Sequence, residues 1–300
     1  MSEDSKTKES VYSNTNGFPL AEGKTLHMDL SMGQISNRII TVGGYGRAVK
    51  IAKLFDNGQY SEIVSSRGFN TYNGTYNGVA VSVVAIGMGI SMMDFFVRET
   101  RAVIEPGQKM IAVRFGTCGG LDVDCTAGTI VVAEGSALVT RNPDHFSNLY
   151  EGKEFNSSSS STAYTKSRVA PADHALTTLI TEELTKESFL QGKIHTGINV
   201  SADSFYGSQG RIDDNFHDDN VSFINEVISH YNGQAKSMEM ESFQLLHLAH
   251  CSKSTCPIIA AAAAIVVANR CSSDVIDGES LDKMEFEGGR ALLEAITKIN

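Results

Sequence analysis

Four short segments of this chain hold residues whose types and spacing suit the recognition of an anion, a sugar and a flat heterocycle. Val42-Gly43-Gly44-Tyr45-Gly46-Arg47 runs from a β-branched strand into a helix. Backbone N–H groups at such a helix start, the helix dipole behind them and Arg47 in the first turn all favour an anion, and phosphate is the natural occupant. The same loop reads equally as a tight turn with a solvent-facing arginine. It is not a dinucleotide fingerprint: the glycines lack G-x-G-x-x-G spacing, and no acidic residue ends a second strand about 20 residues on. Arg114 interrupts the apolar run Met110-Ile111-Ala112-Val113-Arg114-Phe115, just before Gly116-Thr117-Cys118-Gly119-Gly120. A guanidinium at the end of a buried strand needs an anion, a wet crevice or a structural carboxylate, because burying it alone costs several kcal/mol.

Phe205-Tyr206-Gly207-Ser208-Gln209-Gly210-Arg211 presents rings for stacking, with an amide and a guanidinium for the edge of a flat heterocycle. An ordinary polar loop has the same composition. Met238-Glu239-Met240-Glu241-Ser242 sets two carboxylates two residues apart ahead of an apolar helix. They suit sugar hydroxyls, with methionine packed on the sugar face, and they equally suit a capped helix start. His247 and His250, at helical i, i+3 spacing, read as ordinary surface or core residues, so no metal is expected.

Alternating strands and helices must position these segments. A strand over 38–42 leads into a helix over 47–55, and strands over 69–76 and 79–86 flank Asn77-Gly78, a tight hairpin turn. A helix over 91–104 and a strand over 110–115 follow, the latter ending in a glycine loop over 116–120. Strands over 129–133 and 137–140 precede a polar insertion near 141–162 that contains Ser157–Ser161 and is expected to be a mobile surface feature. Then come a helix over 172–186, a strand over 193–201, helices over 219–230 and 240–250, an apolar strand within 257–268 and a helix over 281–298. This alternation favours one three-layer α/β domain over 23–300, preceded by a flexible tail over 1–22.

With 25 basic against 35 acidic residues, the formal charge of −10 argues against general affinity for nucleic acid or anionic membrane. Met1–Ser10 has no apolar core, and the longest apolar run, 257–268, is too short to span a bilayer. The five cysteines include no Cys-x-x-Cys pair, which points to reduced thiols and a cytoplasmic location.

Taken in order, the four segments resemble the motifs of the nucleoside phosphorylase-I family, over a stretch running from about residue 27 to the C-terminus. Phe205, Gln209 and Arg211 are similar to the uridine branch, whereas Met-Glu-Met-Glu-Ser is shared more widely. The resemblance implies a single-domain α/β/α sandwich with a mixed, partly barrel-like central sheet. It also implies reversible phosphorolysis of uridine, in pyrimidine salvage, to uracil and α-D-ribose 1-phosphate, with inorganic phosphate as co-substrate and no cofactor. By position, Gly43, Arg47, Arg114 and Thr117 would cradle phosphate, joined by Arg67 from a second subunit. His27 would reach the ribose 5′ side of the neighbouring site, so that a homodimer with shared sites is the smallest complete unit. Thr117, Glu239, Met240 and Glu241 would hold ribose, and Gly119, Phe205, Gln209 and Arg211 would hold uracil. Arg114, Gln209, Arg211 and Glu241 would form the catalytic set.

The chain departs from that family's pattern at Gly44 and Tyr45, which replace Asp-Pro, and at Gly68, which replaces a glutamate that holds an intersubunit cation in bacterial members. No such ion is therefore expected, and the longer serine-rich insertion favours dimers over larger rings. The rival on the same fold is a purine phosphorylase or nucleosidase, which uses an aspartate after the last apolar strand to protonate the purine N7. Here that strand ends Val267-Ala268-Asn269-Arg270, and Asp274 lies farther along. A non-catalytic nucleoside-binding protein is the rival of a different class.

Overall fold

The computed structural model describes residues 16–155 and 162–299. Residues 1–15 of the expected tail, and Ser157–Ser161, lie outside the described residues. In chain order, a small hairpin of β1 (Leu20–Ala21) and β2 (Lys24–Thr25) precedes β3 (Arg38–Val42), α1 (Tyr45–Ala52) and β4 (Tyr60–Ile63). The hairpin of β5 (Thr71–Tyr76) and β6 (Val79–Ala85) leads to α2 (Ile90–Val103) and β7 (Met110–Gly120). Next come β8 (Ile130–Arg141), the single turn α3 (Ser147–Tyr150), β9 (Tyr164–Lys166), β10 (Ala170–Pro171), α4 (His174–Lys186) and β11 (Ile194–Ala202). The last elements are α5 (Phe223–His230), β12 (Ala235–Glu239), α6 (Ser242–Cys251), β13 (Ile258–Asn269) and α7 (Gly278–Lys298).

The strand β7 organises the sheet. Along one edge it runs parallel to β13 from Met110 to Gly120. Along the other it pairs first with β3, over Ile111–Arg114, and then with β12, over Gly119–Gly120. Switching partners along one edge lets the sheet close: β7, β12, β11, β8 and β13 form a five-stranded ring, while β3, β6, β5 and β4 extend from it as an open wing. This is the expected barrel-like mixed sheet. A crevice opens between residues 114 and 119, where β3 and β12 part, and such switch points are where α/β sheets bind ligands.

Side chains alternate across β7. Ile111, Val113 and Phe115 face a core built with Ile51 of α1, Ile180 of α4 and Leu292 of α7. Met110 and Ala112 face the opposite core, with Phe96 of α2 and Leu245 of α6. Helices thus cover both faces, giving the expected three layers. A third cluster seats α5 through Phe223 and Val227 against Val139 and Val200. Among the described residues no helix is long and apolar enough to cross a membrane.

Several expectations need correction. The glycine loop over 116–120 is the continuation of β7, because glycines let a strand bend tightly enough to change partners. The two strands over 129–133 and 137–140 are one strand, β8, in which Glu134 is an extra residue opposite the Gly197–Ile198 step, a bulge. Glu239 ends a strand rather than opening a helix, and α6 starts at Ser242. The ordered chain begins before residue 23, since Leu20 and Ala21 pair with β2. The Asn77-Gly78 turn is as expected, with φ of 52° and 74° at its two residues.

The helix α7 lies close on the barrel because Gly288 has no side chain: a Cβ there would sit 2.6 Å from Cζ of the fully buried Phe115. Gly288→Ala gains up to about 1 kcal/mol of helix propensity. Overpacking costs about 1–3 kcal/mol, so a net loss is expected. A lower urea midpoint at unchanged slope supports this, and a raised midpoint contradicts it.

Candidate active site

The crevice beside β7 is a cavity of about 420 Å³ lined by all four chemistry-bearing segments. A larger cavity of about 780 Å³ runs along α4, walled mainly by Thr177, Thr178, Thr181 and Thr185, away from those segments. Although the chain carries a formal charge of −10, the crevice is lined by four guanidinium groups, Arg47, Arg114, Arg211 and Arg270, against the two carboxylates Glu239 and Glu241. It favours an anion.

Arg114 is 3% exposed. Its Nη2 donates to Glu241 Oε2 at 2.8 Å, while its Nε and Nη1 are buried with no partner among the described residues. A structural carboxylate occupies one corner of the fork, as one sequence reading expects, and the remaining donors stay unfilled. Leaving such donors unfilled costs about 1–3 kcal/mol each, which a bound oxyanion recovers. Gly43 and Gly116 keep the space clear, since Cβ atoms there would lie 3.7 Å from Nη2 and 3.4 Å from Nε. The helix α1 starts at the same wall, and its N-cap residue Gly44 provides no side-chain cap. Arg47, in its first turn, is anchored by Nε to Glu285 of α7 at 2.8 Å and by Nη1 to the Phe115 carbonyl at 3.2 Å. Burial is the main influence lowering its pKa from the usual value.

The carboxylates have different surroundings. Glu241 stands where α6 begins, with Oε1 accepting from the N–H of Gly89, the N-cap of α2, at 2.6 Å and Oε2 on Arg114. Glu239 also lines the crevice, but its carboxylate is occupied within the protein. Oε1 accepts from Asn199 Nδ2 at 2.7 Å and Ser201 Oγ at 2.5 Å, and Oε2 accepts from the N–H of Glu241 at 2.9 Å and of Ser242 at 3.0 Å. Burial, and next the charge of Glu241, raise the Glu239 pKa.

In the same crevice, Arg211 lies 3.7 Å over the centre of the Phe205 ring and donates from Nη1 to Gln209 Oε1 at 2.8 Å and to the Phe205 carbonyl. One face of Phe205 is therefore covered by the guanidinium, which leaves a single face for a ligand. Gln209 Oε1 keeps a second lone pair beside this bond, and its amide NH₂ remains a donor. Arg270 adds a second guanidinium, fixed by Nη2 to the Gly210 carbonyl at 3.1 Å, and its stem fills the space beside Gly119, where a Cβ would lie 3.4 Å from Cγ. Burial, the main influence in both, lowers the pKa of Arg211 and of Arg270.

The family model for the phosphorylase superfamily matches residues 37–295. The chain belongs to the phosphorylase superfamily. Among solved structures it resembles one from a study of two uridine phosphorylases in the oomycete Phytophthora capsici, at 39% identity and a TM-score of 0.87 over 96% of this chain and 99% of that one. A Trypanosoma brucei nucleoside phosphorylase shares the fold at 21% identity and a TM-score of 0.77, over 94% and 100% of the two chains. Among curated proteins, a DeoD-type purine nucleoside phosphorylase of Oceanobacillus iheyensis is 28% identical over 75% of this chain and 80% of its own. A uridine phosphorylase of Thermococcus kodakarensis is 27% identical over 63% and 59%.

Within this phosphorylase-superfamily crevice the structure brings together Gly43, Arg47, Arg114, Thr117, Gly119, Phe205, Gln209, Arg211, Glu239, Met240 and Glu241. It does not bring in His27 and Arg67. These two lie side by side elsewhere, since the Ser65 hydroxyl donates to the His27 carbonyl and accepts from the Arg67 N–H at 3.1 Å. Arg270 was missed by sequence reasoning, although it carries the same signal as Arg114, an arginine at the end of an apolar strand. The structure also shows what Asn269 and Asp274 do. Asn269 bonds the carbonyls of Asp122 and Cys125, and Asp274 accepts from the Ala127 N–H at 2.6 Å and from Ser272. Neither residue lines the crevice.

Removing the cation from a buried pair leaves an uncompensated charge. Arg114→Met is expected to lower unfolding free energy by about 3–5 kcal/mol, with part regained in Arg114→Met/Glu241→Gln. Urea melts check this; an unaltered single variant would contradict the pairing.

Proposed function

We propose that this superfamily member catalyses the reversible phosphorolysis of uridine, giving uracil and α-D-ribose 1-phosphate in pyrimidine salvage. The observation carrying this reading is that the two unpartnered donors of Arg114 and the Gln209–Arg211 pair line one cavity together with Met240 and Glu241. Phosphate bound by Arg114, Arg47 and the start of α1 would stand below C1′ of the ribose. As the C–N bond loosens, positive charge grows on the sugar ring and negative charge on uracil. The phosphate oxyanion faces the first, and Arg211 with the Gln209 amide faces the second, so the site favours the transition state over the bound substrate. Phosphate oxygen forms the new bond to C1′, the C–N bonding pair leaves with uracil, and uracil takes up a proton from water. No cofactor or metal enters the reaction.

The pyrimidine reading rests on the base end of the cavity. The purine branch is expected to place an aspartate at N7, and Asp274 is engaged by Ala127 and Ser272 outside the cavity. Uracil presents carbonyl acceptors and an imide N–H: Arg211 and the Gln209 NH₂ donate to the carbonyls, and the lone pair that Arg211 leaves open on Gln209 Oε1 accepts from the imide. The oomycete structure, which comes from work on uridine phosphorylases, supports the same choice. The reading includes a homodimer in which His27 and Arg67 of one protomer complete the site of its partner. In support, Glu99 holds His27 firmly outside the crevice of its own protomer: Nδ1 lies 2.5 Å from Oε1, and the imidazole stacks on Phe95 at 3.9 Å.

Uridine and inosine, each with and without phosphate, test the proposal. Phosphate-dependent uracil release with little hypoxanthine is expected; the reverse preference, or release without phosphate, would contradict it. Arg211→Ala should lower kcat by about 10²–10³, equivalent to about 2.7–4 kcal/mol for one donor to the developing charge. Near-normal uridine cleavage by that variant removes Arg211 from the role.

A further inference from the structure

Glu239 has an environment unlike that of a sugar ligand. It is 4% exposed, and its two oxygens accept from four donors, Asn199, Ser201 and the N–H groups of Glu241 and Ser242. Those donors are themselves held. Asn199 Oδ1 accepts from Ser237 Oγ at 2.9 Å, Asn199 Nδ2 also donates to Ser136 Oγ at 3.0 Å, and Ser201 Oγ accepts from the Phe243 N–H at 2.8 Å. The network ties β8, β11, β12 and the first turn of α6 together inside the barrel. All four hydrogen-bond partners of the Glu239 carboxylate donate to it, which leaves little capacity for a ligand hydroxyl.

What the network holds is the turn between β12 and α6. Glu241 has φ −135° and ψ −36°, and from that backbone its side chain reaches both Arg114 on β7 and Gly89 at the start of α2. Two of the four donors to Glu239 are the N–H groups of this turn, so the position of Glu241 depends on it directly.

We propose that Glu239 is a positioning residue and not a ribose ligand: clamped by Asn199 and Ser201, it fixes the Met240–Glu241 turn and so sets how Glu241 meets both Arg114 and the sugar. This rests on the phosphorolysis reading for the identity of the sugar, but the clamp is a property of the nucleoside site whichever base it takes. Asn199 does not line the crevice, yet it belongs to the machinery through Glu239.

The test is a set of double-variant cycles: Glu239→Gln, Asn199→Ala and Ser201→Ala, each alone and combined with Glu241→Gln. Nucleoside Kd and kcat/KM are measured for uridine and inosine, and circular dichroism checks folding. Glu239→Gln and Asn199→Ala should each lower kcat/KM by about 10–100-fold, the range for a lost hydrogen bond to a charged group, with a smaller loss in Ser201→Ala. In the Glu241→Gln background each should change Kd and kcat/KM by less than about threefold, because the group they position is gone. Full additivity, with the Glu239→Gln loss undiminished without Glu241, would overturn the clamp and make Glu239 an independent ligand. Equal stability losses with unchanged Kd and kcat/KM would overturn it in favour of a purely structural role. A wild type that cleaves or binds inosine but not uridine fails the pyrimidine reading alone, and the cycle is then read on inosine.

Discussion

The contact between Arg114 and Glu241 is the constraint on which the site depends. Two charges, both nearly inaccessible to water, meet at 2.8 Å across two elements that are 127 residues apart in sequence. Desolvating such a pair costs several kcal/mol per ion, so it persists because its remaining valences are put to use. Glu241 uses its second oxygen on the N-terminus of α2. Arg114 keeps two donors unfilled beside the uncapped start of α1. A dianion entering there completes the guanidinium fork and neutralises a cavity whose lining is otherwise cationic.

The geometry follows from the way the sheet closes. An open parallel sheet would have carried β3 along the full edge of β7. Instead β12 takes over that edge at Gly119, and the barrel shuts behind it. The parting of β3 and β12 exposes Arg114, Thr117 and Gly119 to one cavity, while the loop after β11 delivers Phe205, Gln209 and Arg211 to the same cavity. Closure thus brings both sets of residues to one cavity. The acidic chain can still bind an anion because four arginines line this single crevice, each with its stem or head fixed by a neighbouring carbonyl, carboxylate or ring.

Much of this was legible in the residues. Arg114 stands out because a guanidinium has no place in an apolar strand unless something pairs with it, and the glycine-rich strand ends before α1 and α2 mark chain reversals next to helix starts. The hairpin at Asn77-Gly78 was legible from the positive φ its residues tolerate. Closure was not, because period-two apolarity reports that a strand is buried and not which neighbour it has. For the same reason Gly116–Gly120 resembles a loop although it is the bent half of β7, and the bulge at Glu134 resembles a break between two strands. The surroundings of Glu239 were not legible either: a carboxylate within a sugar-binding type of motif suggests a ligand, and the four donors that occupy it come from residues distant in sequence and from the turn's own backbone. Arg270 was overlooked because it follows the strand end by one residue, where arginines commonly face solvent. His27 and Arg67 lie outside the crevice of their own protomer, and one chain shows only that they sit together.

The central claim is that one cavity holds an oxyanion and a pyrimidine at the separation a pentose requires. A crystal structure with uracil and sulfate bound together measures this directly. Sulfate oxygens on Arg114 Nε and Nη1, with the uracil edge against Gln209 and Arg211 and room for one ribose between them, is the predicted result. Sulfate bound away from Arg114, or uracil away from the amide–guanidinium pair, would contradict it.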